Sequence, residues 1–369
     1  MNDVRYVLGI SGGKDSTALA IYLKMKYPRL DIEYYFCDTG KELNETYKLI
    51  DNLEVFLGKK ITKLNAAPGS PKDPFDHFHQ LYGGYLPSSV ARWCTKKLKL
   101  EPFEDFVGND PVVSFVAIRG DEDREAYVSR KPNIQSIFPF RYNIWSEDVI
   151  RLVFNNSGLE KLIKIYEGLE FTDKNKRDAA MEIVRRPLSV AYPQNRKLNE
   201  LLRLDAKLFN KAVFNILKNS SYPLAKIDEF QVLDNDEIIT IDDVFRILKE
   251  SGVGIPAYYE KIEFELDGQK GYFSRSRSGC YFCFFQQKIE WIWLYERHPD
   301  LFQKAMQYEK DGYTWMQGER LEEIIKPERI RQIKEEQLRK LNRRSTGNSG
   351  YLVDIIQETE GEGCAACFI

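Results

Sequence analysis

Six consecutive residues, Ser11-Gly12-Gly13-Lys14-Asp15-Ser16, carry the chemistry of a phosphate holder. The two glycines let the backbone approach an anion, and a turn that opens a helix aims its N–H groups outward. Lys14 adds a positive charge, Ser11 and Ser16 add hydroxyls, and Asp15 can orient Mg²⁺. The pattern G-x-x-x-x-G-K-S/T is absent, so this is not a Walker-type loop. The simpler alternative is a tight turn with an incidental Lys and Asp. A second set is the six cysteines: Cys37, Cys94, the pair Cys280/Cys283 and the pair Cys364/Cys367. Two C-x-x-C pairs with two single thiols suit metal ligation or redox work better than structural disulfides. Cys37 reads as a buried strand residue. His77 and His79 lie before Cys94 and can assist a site there, although an ordinary loop role suffices for both.

These residues need elements to position them. Arg5 to Ile10 is a short apolar run that ends at the glycines, and Thr17 to Lys26 follows with helical periodicity. Asp31 to Phe36 is a second β-prone run, ending at Cys37-Asp38-Thr39-Gly40, and Glu42 to Phe56 reads as a helix. Lys60 to Leu64 is a third strand, and Val112 to Ile118 (VVSFVAI) is apolar without a break, as in a strand buried on both faces. Strands alternating with helices predict an α/β fold: a doubly wound parallel sheet, with a helical insertion and a helical C-terminal region. The expected organisation is a nucleotide-binding α/β domain over 1–150 and a helical insertion over 151–237. A cysteine-motif and helical region over 238–345 would complete the site, and a mobile, cysteine-containing tail over 346–369 would follow. A hairpin is expected from Lys261 to Phe273, turning at Asp267-Gly268.

The composition has 43% hydrophobic and 30% charged residues with a net charge of −2, so no global basic field calls for nucleic acid. Local basic stretches exist: Lys174, Lys176, Arg177, Arg185 and Arg186 in the insertion, and the run from Lys326 to Arg344. The second is the better nucleic-acid patch, though a solvated face is the usual meaning of such a run. No apolar stretch reaches the ~18 residues of a membrane span. With no leader-like segment at Met1, the expectation is a cytoplasmic protein without a membrane partner.

Taken together, the motifs resemble a known family. S-G-G-K-D-S is similar to the pyrophosphate loop of the N-type ATP pyrophosphatases. Phe36-Cys37-Asp38-Thr39-Gly40 with Glu45-Thr46-Tyr47 resembles the phosphoadenosine phosphosulfate (PAPS) reductase-like branch. Ala117-Ile118-Arg119-Gly120-Asp121, Phe138-Pro139-Phe140 with Trp145, and Arg277-Ser278-Gly279-Cys280-Tyr281-Phe282-Cys283 follow in the same order. The resemblance implies an adenine nucleotide, ATP with Mg²⁺, at the carboxyl ends of the strands. It makes Ser11, Gly12, Gly13, Lys14, Asp15 and Ser16 the nucleotide loop, and Lys14, Asp15, Asp38 and Arg119 the catalytic candidates. Asp38 would meet ribose, adenine or Mg²⁺, and Arg119 would clamp phosphate or sulfate. The alternative for Arg119 is an ion pair with Asp121 or Glu122.

For the cysteines the resemblance implies a 4Fe-4S cluster on Cys94, Cys280 and Cys283. Adenylylsulfate reductases carry two adjacent cysteines where this chain has Trp93-Cys94, so one ligand is missing. An open iron, as in similar three-cysteine tRNA thiolation enzymes, is one outcome. Closure by Cys364 or Cys367 is a second, and Zn²⁺ is a third. Buried thiols beside Tyr281, Phe282, Phe284 and Phe285 are the plain alternative. The tail lacks the E-C-G-x-H pattern of sulfonucleotide reductases. The ensemble resembles the ATP pyrophosphatase of DNA phosphorothioation and related phage-defence systems. The implied activity is adenylation with pyrophosphate release and sulfur transfer, on nucleic acid, with a sulfur-donor or defence-system partner protein. A true sulfonucleotide reductase and a non-catalytic nucleotide-sensing subunit are the alternatives.

Overall fold

The structure, a computed structural model, describes residues 3–122, 129 and 131–345. Five strands form one parallel sheet in the order β3-β2-β1-β4-β5: β1 Arg5–Gly9, β2 Ile32–Asp38, β3 Ile61–Asn65, β4 Val112–Phe115 and β5 Ile134–Ile137. The chain builds outward from β1 through β2 to β3, then returns to the other side of β1 for β4 and β5. The direction of winding therefore reverses between β1 and β4, where an open parallel sheet leaves a crevice for ligands. This is the predicted doubly wound fold. β5 was not legible, because its sequence IQSI has a polar middle. Gln135 and Ser136 are nonetheless buried, and the Gln135 side chain accepts the Leu224 N–H at 3.2 Å.

Helix α1 (Lys14–Lys26) leaves the glycine loop and is buried continuously from Asp15 to Leu23, between the sheet and α10 (Ile241–Ser251). Helix α2 (Asn44–Leu57) covers β2 with Leu49, Ile50, Leu53 and Leu57, and ends at Gly58 with φ +64°. The crossover from β3 to β4 contains α3 (Pro74–Leu81), whose N-terminus is capped by the Asp73 side chain, and α4 (Trp93–Thr95). The latter runs through a π-helical turn, Lys96–Leu100, into α5 (Glu101–Val107). That turn sets the Lys99 carbonyl 3.6 Å from the Cys37 sulfur, closing over the end of β2.

The stretch after β5 is helical: α6 (Glu147–Phe154), α7 (Leu159–Glu167), α8 (Lys174–Arg185) and α9 (Gln194–Leu217). Leu162, Tyr166, Val184 and Phe209 share one continuous core with Leu8, Val113 and Phe115 of the sheet. Polar anchors fix the docking. The buried Asn210 side chain accepts the Trp145 indole N–H at 2.8 Å, and Lys197, also buried, donates to the carbonyls of Val184 (2.8 Å) and Arg186 (2.6 Å) at the end of α8.

Past α10 comes the predicted hairpin, β6 Ile262–Leu266 and β7 Gln269–Phe273, with Asp267 (φ 51°) and Gly268 (φ 77°) at the turn. Two central residues at positive φ are what a tight two-residue hairpin requires. Helices α11 (Lys288–Arg297), α12 (Pro299–Met306), α13 (Leu321–Ile324) and α14 (Pro327–Ser345) follow. They build a second, aromatic core in which Phe282, Trp291, Phe302 and Trp315 join Phe75 and Trp93 of the crossover. Among the described residues no helix is long and apolar enough to cross a membrane.

Candidate nucleotide site

The glycine loop leaves β1 at the winding reversal. Gly12 has φ +70°, and a Cβ there would lie 2.2 Å from Thr46 Cγ2, so both conformation and space demand glycine. Gly13 caps α1 and offers no side chain to its N-terminus. The loop is tied internally: Ser16 Oγ accepts from the Ser11 N–H at 3.1 Å, and Ser11 Oγ accepts from Gly13 N–H at 3.3 Å. A helix start without its own cap, at the sheet's switch point, is a place where an anion completes the hydrogen bonding.

The loop has a second wall, built from the segment between α10 and the C-x-x-C pair. Tyr258 donates to the Gly12 carbonyl at 2.9 Å, and the Lys14 N–H donates to the Tyr259 hydroxyl at 3.2 Å. Ser278 donates to the Ser11 carbonyl at 3.3 Å, and a Cβ on Gly13 would meet Ser278 Oγ at 2.5 Å. Lys14 Nζ donates to the Ser276 carbonyl at 3.4 Å, 5.1 Å from the Tyr259 ring. The segment that leads into the C-x-x-C therefore lies directly on the glycine loop.

Asp15 and Arg119 meet, although 104 positions separate them. Arg119 Nη1 is 2.7 Å from Asp15 Oδ1, and Lys14 Nζ is 3.1 Å from Asp15 Oδ2. Arg119 also pairs with Asp121 at 2.8 Å and Glu122 at 2.7 Å. Three carboxylates hold this guanidinium, so here it braces the strand ends instead of standing open as a clamp. Both Asp15 oxygens are engaged by cations, Oδ1 by Arg119 and Oδ2 by Lys14.

Asp38 stands at the end of β2, as expected, and its Oδ1 accepts from Gly40 N–H and the Tyr47 hydroxyl, both at 2.9 Å. Beside it is Glu42, which sequence reasoning passed over. Its carboxylate accepts from Thr39 Oγ1 at 2.7 Å and from Tyr47 at 3.3 Å. Burial, then the neighbouring Asp38 charge, pushes the Glu42 carboxyl up to about 7. Lys41, also unforeseen, is buried and pairs with Asp73 (2.8 Å) and Asp76 (2.9 Å), tying the loop after β2 to α3.

Cys94, Cys280 and Cys283 reach the same end of the molecule, Cys94 and Cys280 against the aromatic core. Cys280 Sγ lies 3.2 Å from Thr39 Oγ1, and burial pushes its thiol up. Burial likewise raises Cys37 to about 12, in keeping with a core thiol. Among the described residues, no group of three or more His, Cys, Asp or Glu side chains is placed to hold a metal ion. Cys364 and Cys367 lie outside the described residues. The arrangement described fits neither a 4Fe-4S cluster nor Zn²⁺. Four residues of the basic run on α14 are paired within the chain. Arg329 pairs with Glu319, Arg331 with Asp267 and Glu335, Lys334 with Glu296 and Arg339 with Glu335.

An uncapped glycine loop at the switch point of a doubly wound sheet, walled by a C-terminal segment, defines an α/β protein of the PP-loop class. Comparison with known proteins gives the family. The profile of the phosphoadenosine phosphosulfate reductase domain matches residues 5–189, half of the chain, which belongs to that family. An uncharacterized protein of Methanocaldococcus jannaschii is 34% identical over 145 residues, covering 36% of this chain and 28% of its own. A tRNA-specific 2-thiouridylase of Pasteurella multocida is 25% identical over 193 residues, covering 47% of this chain and 49% of its own. One from Actinobacillus pleuropneumoniae is 24% identical over 194 residues, with the same coverage. The chain thus spans half or less of the length of these curated relatives. No solved structure gives a significant match.

Proposed function

We propose that the chain is an ATP-using enzyme that adenylates an acceptor, releases pyrophosphate and prepares that acceptor for sulfur transfer, with nucleic acid as the acceptor class. The observation that carries this reading is the uncapped start of α1, with Lys14 beside it and the segment Ser276 to Ser278 closed against the loop. An acceptor oxygen attacks the α-phosphorus, the bond to the bridging oxygen of the β-phosphate breaks, and pyrophosphate leaves with that electron pair. Loop N–H groups and Lys14 stabilise the charge that develops on the leaving group, the largest contribution such a site can make. A hydrosulfide-class donor then forms the carbon–sulfur bond as the carbon–oxygen bond to AMP breaks. Arg119 holds Asp15 and the end of β4 in register, and Asp38 is the candidate contact for the nucleotide's ribose. Membership of a family named for a sulfonucleotide reductase, and likeness to enzymes named as tRNA thiouridylases, support sulfur-linked nucleotide chemistry.

The family name also favours a second reading, reduction of phosphoadenosine phosphosulfate. One experiment separates the two: pyrophosphate exchange into ATP is measured with RNA and DNA added, and sulfite release is measured from the sulfonucleotide with a thiol reductant. Exchange that depends on nucleic acid and disappears in Lys14→Ala is the expected result. Sulfite release without exchange would replace the first reading with the second.

A further inference from the structure

A chain of contacts runs from the surface to the glycine loop. At its outer end are three tyrosines, Tyr82, Tyr85 and Tyr313, which are 39%, 40% and 44% exposed. Tyr85 and Tyr313 meet edge to face at 5.3 Å, and Tyr82 lies 5.4 Å from Trp93. The Trp93 indole donates to the Tyr85 carbonyl at 3.1 Å, which locks the tyrosine loop onto the helix that carries Cys94. Next to Trp93 is the exposed Arg92, whose guanidinium is 5.0 Å from the Phe285 ring. The Arg277 guanidinium lies 5.6 Å from the same ring. Ser278, adjacent to Arg277, touches Ser11 and crowds Gly13. Every link of this track, from the tyrosines to the glycine loop, is a contact or a chain neighbour, with the buried Trp93 joining the exposed tyrosines to Arg92 beneath the surface.

Its composition suits one kind of occupant. Half-exposed rings offer flat faces to unstacked bases, and guanidiniums beside them meet phosphates and stack in their own right. Arg277 Nη1 is buried without a hydrogen-bond partner in the structure. At the outer end Gly84 brings the Lys310 ammonium against the tyrosine loop, since a Cβ on Gly84 would lie 2.3 Å from Lys310 Nζ. A duplex keeps its bases stacked inside and would use only the charges. On α14, by contrast, Arg329, Arg331, Lys334 and Arg339 are already paired with carboxylates, and the helix carries no such rings.

We propose that this track binds single-stranded nucleic acid and leads it to the glycine loop. The inference rests on the adenylation reading, for which it supplies the acceptor's form: an unpaired segment whose bases lie on Tyr82, Tyr85 and Tyr313 while its phosphates pass Arg92 and Arg277.

The test is fluorescence anisotropy of the full chain with labelled single-stranded RNA, single-stranded DNA and a duplex hairpin of matched length, at two salt concentrations. Single strands bind better than the duplex. Tyr85→Ala and Tyr313→Ala weaken single-strand binding about 5- to 100-fold each, whereas Tyr85→Phe keeps the ring and the affinity. The Tyr85 contact to Trp93 is through the backbone and survives the substitution. Arg277→Gln lowers the salt slope by about one, and Arg331→Gln on α14 leaves binding unchanged. Equal affinity for the duplex, or tyrosine variants that bind like the parent, overturns the proposal. An acidic peptide competing as well as the oligonucleotide also overturns it. Single-strand binding that needs the tyrosines upholds the track even where pyrophosphate exchange is absent, in which case only the adenylation reading fails.

Discussion

Replacing Gly12 by alanine tests the geometry of the phosphate loop without any ligand. Gly12 sits at φ +70°, a conformation that costs an L-residue about 1–2 kcal/mol. The added Cβ would also meet Thr46 Cγ2 at 2.2 Å and Thr46 Cβ at 3.5 Å. Thr46 is fully buried at the start of α2 and cannot swing aside, so overpacking adds about 1–3 kcal/mol. The expected loss is therefore about 2–5 kcal/mol. Gly58 provides the control: its φ is +64°, but a Cβ there meets nothing within 4 Å, so Gly58→Ala shows the backbone cost alone. Urea unfolding without nucleotide, with the slope of the transition unchanged, measures both. Thr46→Ser removes the offending methyl and should return most of the difference in the Gly12→Ala background, a coupling that a double-mutant cycle isolates. If Gly12→Ala costs no more than Gly58→Ala, or Thr46→Ser returns nothing, the reasoning is refuted.

Two pH predictions concern groups away from the loop. Hydrogen bonding to Arg329, then Lys288 despite partial burial, holds Glu319 down at about 2. Its stabilising contribution is present above the ordinary carboxylate range and is lost as pH falls toward 2, so Glu319→Gln should flatten the acid limb of stability between about pH 4.5 and 2. Burial, then the Arg186 charge, lowers Lys197 to about 8 from an ordinary 10.5. Above pH 8 the unfolded chain holds this proton longer than the folded one, so folding is favoured increasingly up to about pH 10.5. The stability difference between the parent and Lys197→Met should grow in the parent's favour over that interval; a flat difference in chemical unfolding would show that the ammonium is not desolvated.

What the sequence disclosed was what lies close together along it. The phosphate loop is six adjacent residues, and the hairpin turn is announced by Asp267-Gly268, so both were readable. The β-prone runs fixed four of the five strands, and the fifth was hidden by Gln135 and Ser136, whose burial depends on the insertion packing over them. Arg119 follows directly on the apolar run Val112 to Ile118, but β4 closes at Phe115, and its partner Asp15 is 104 positions away, out of reach of any local signal. Ser278 stood inside a recognised stretch, yet nothing local says that it touches Ser11, or that Tyr258 and Tyr259 touch Gly12 and Lys14. Glu42 carried no motif at all, and its unusual proton affinity arises from burial beside Asp38.

The contact between Ser278 and Ser11 bridges 267 positions of chain. At about 5–20 residues per second, a ribosome needs roughly 13–50 s to make the intervening length. During that interval the α/β half can assemble its sheet while its phosphate loop still lacks Tyr258, Tyr259 and Ser278. Under the proposed function, nucleotide affinity therefore arrives late in biogenesis, once this second wall has been made. An amino-terminal fragment stopping before α10 would carry the whole signature motif and yet present it without its second wall.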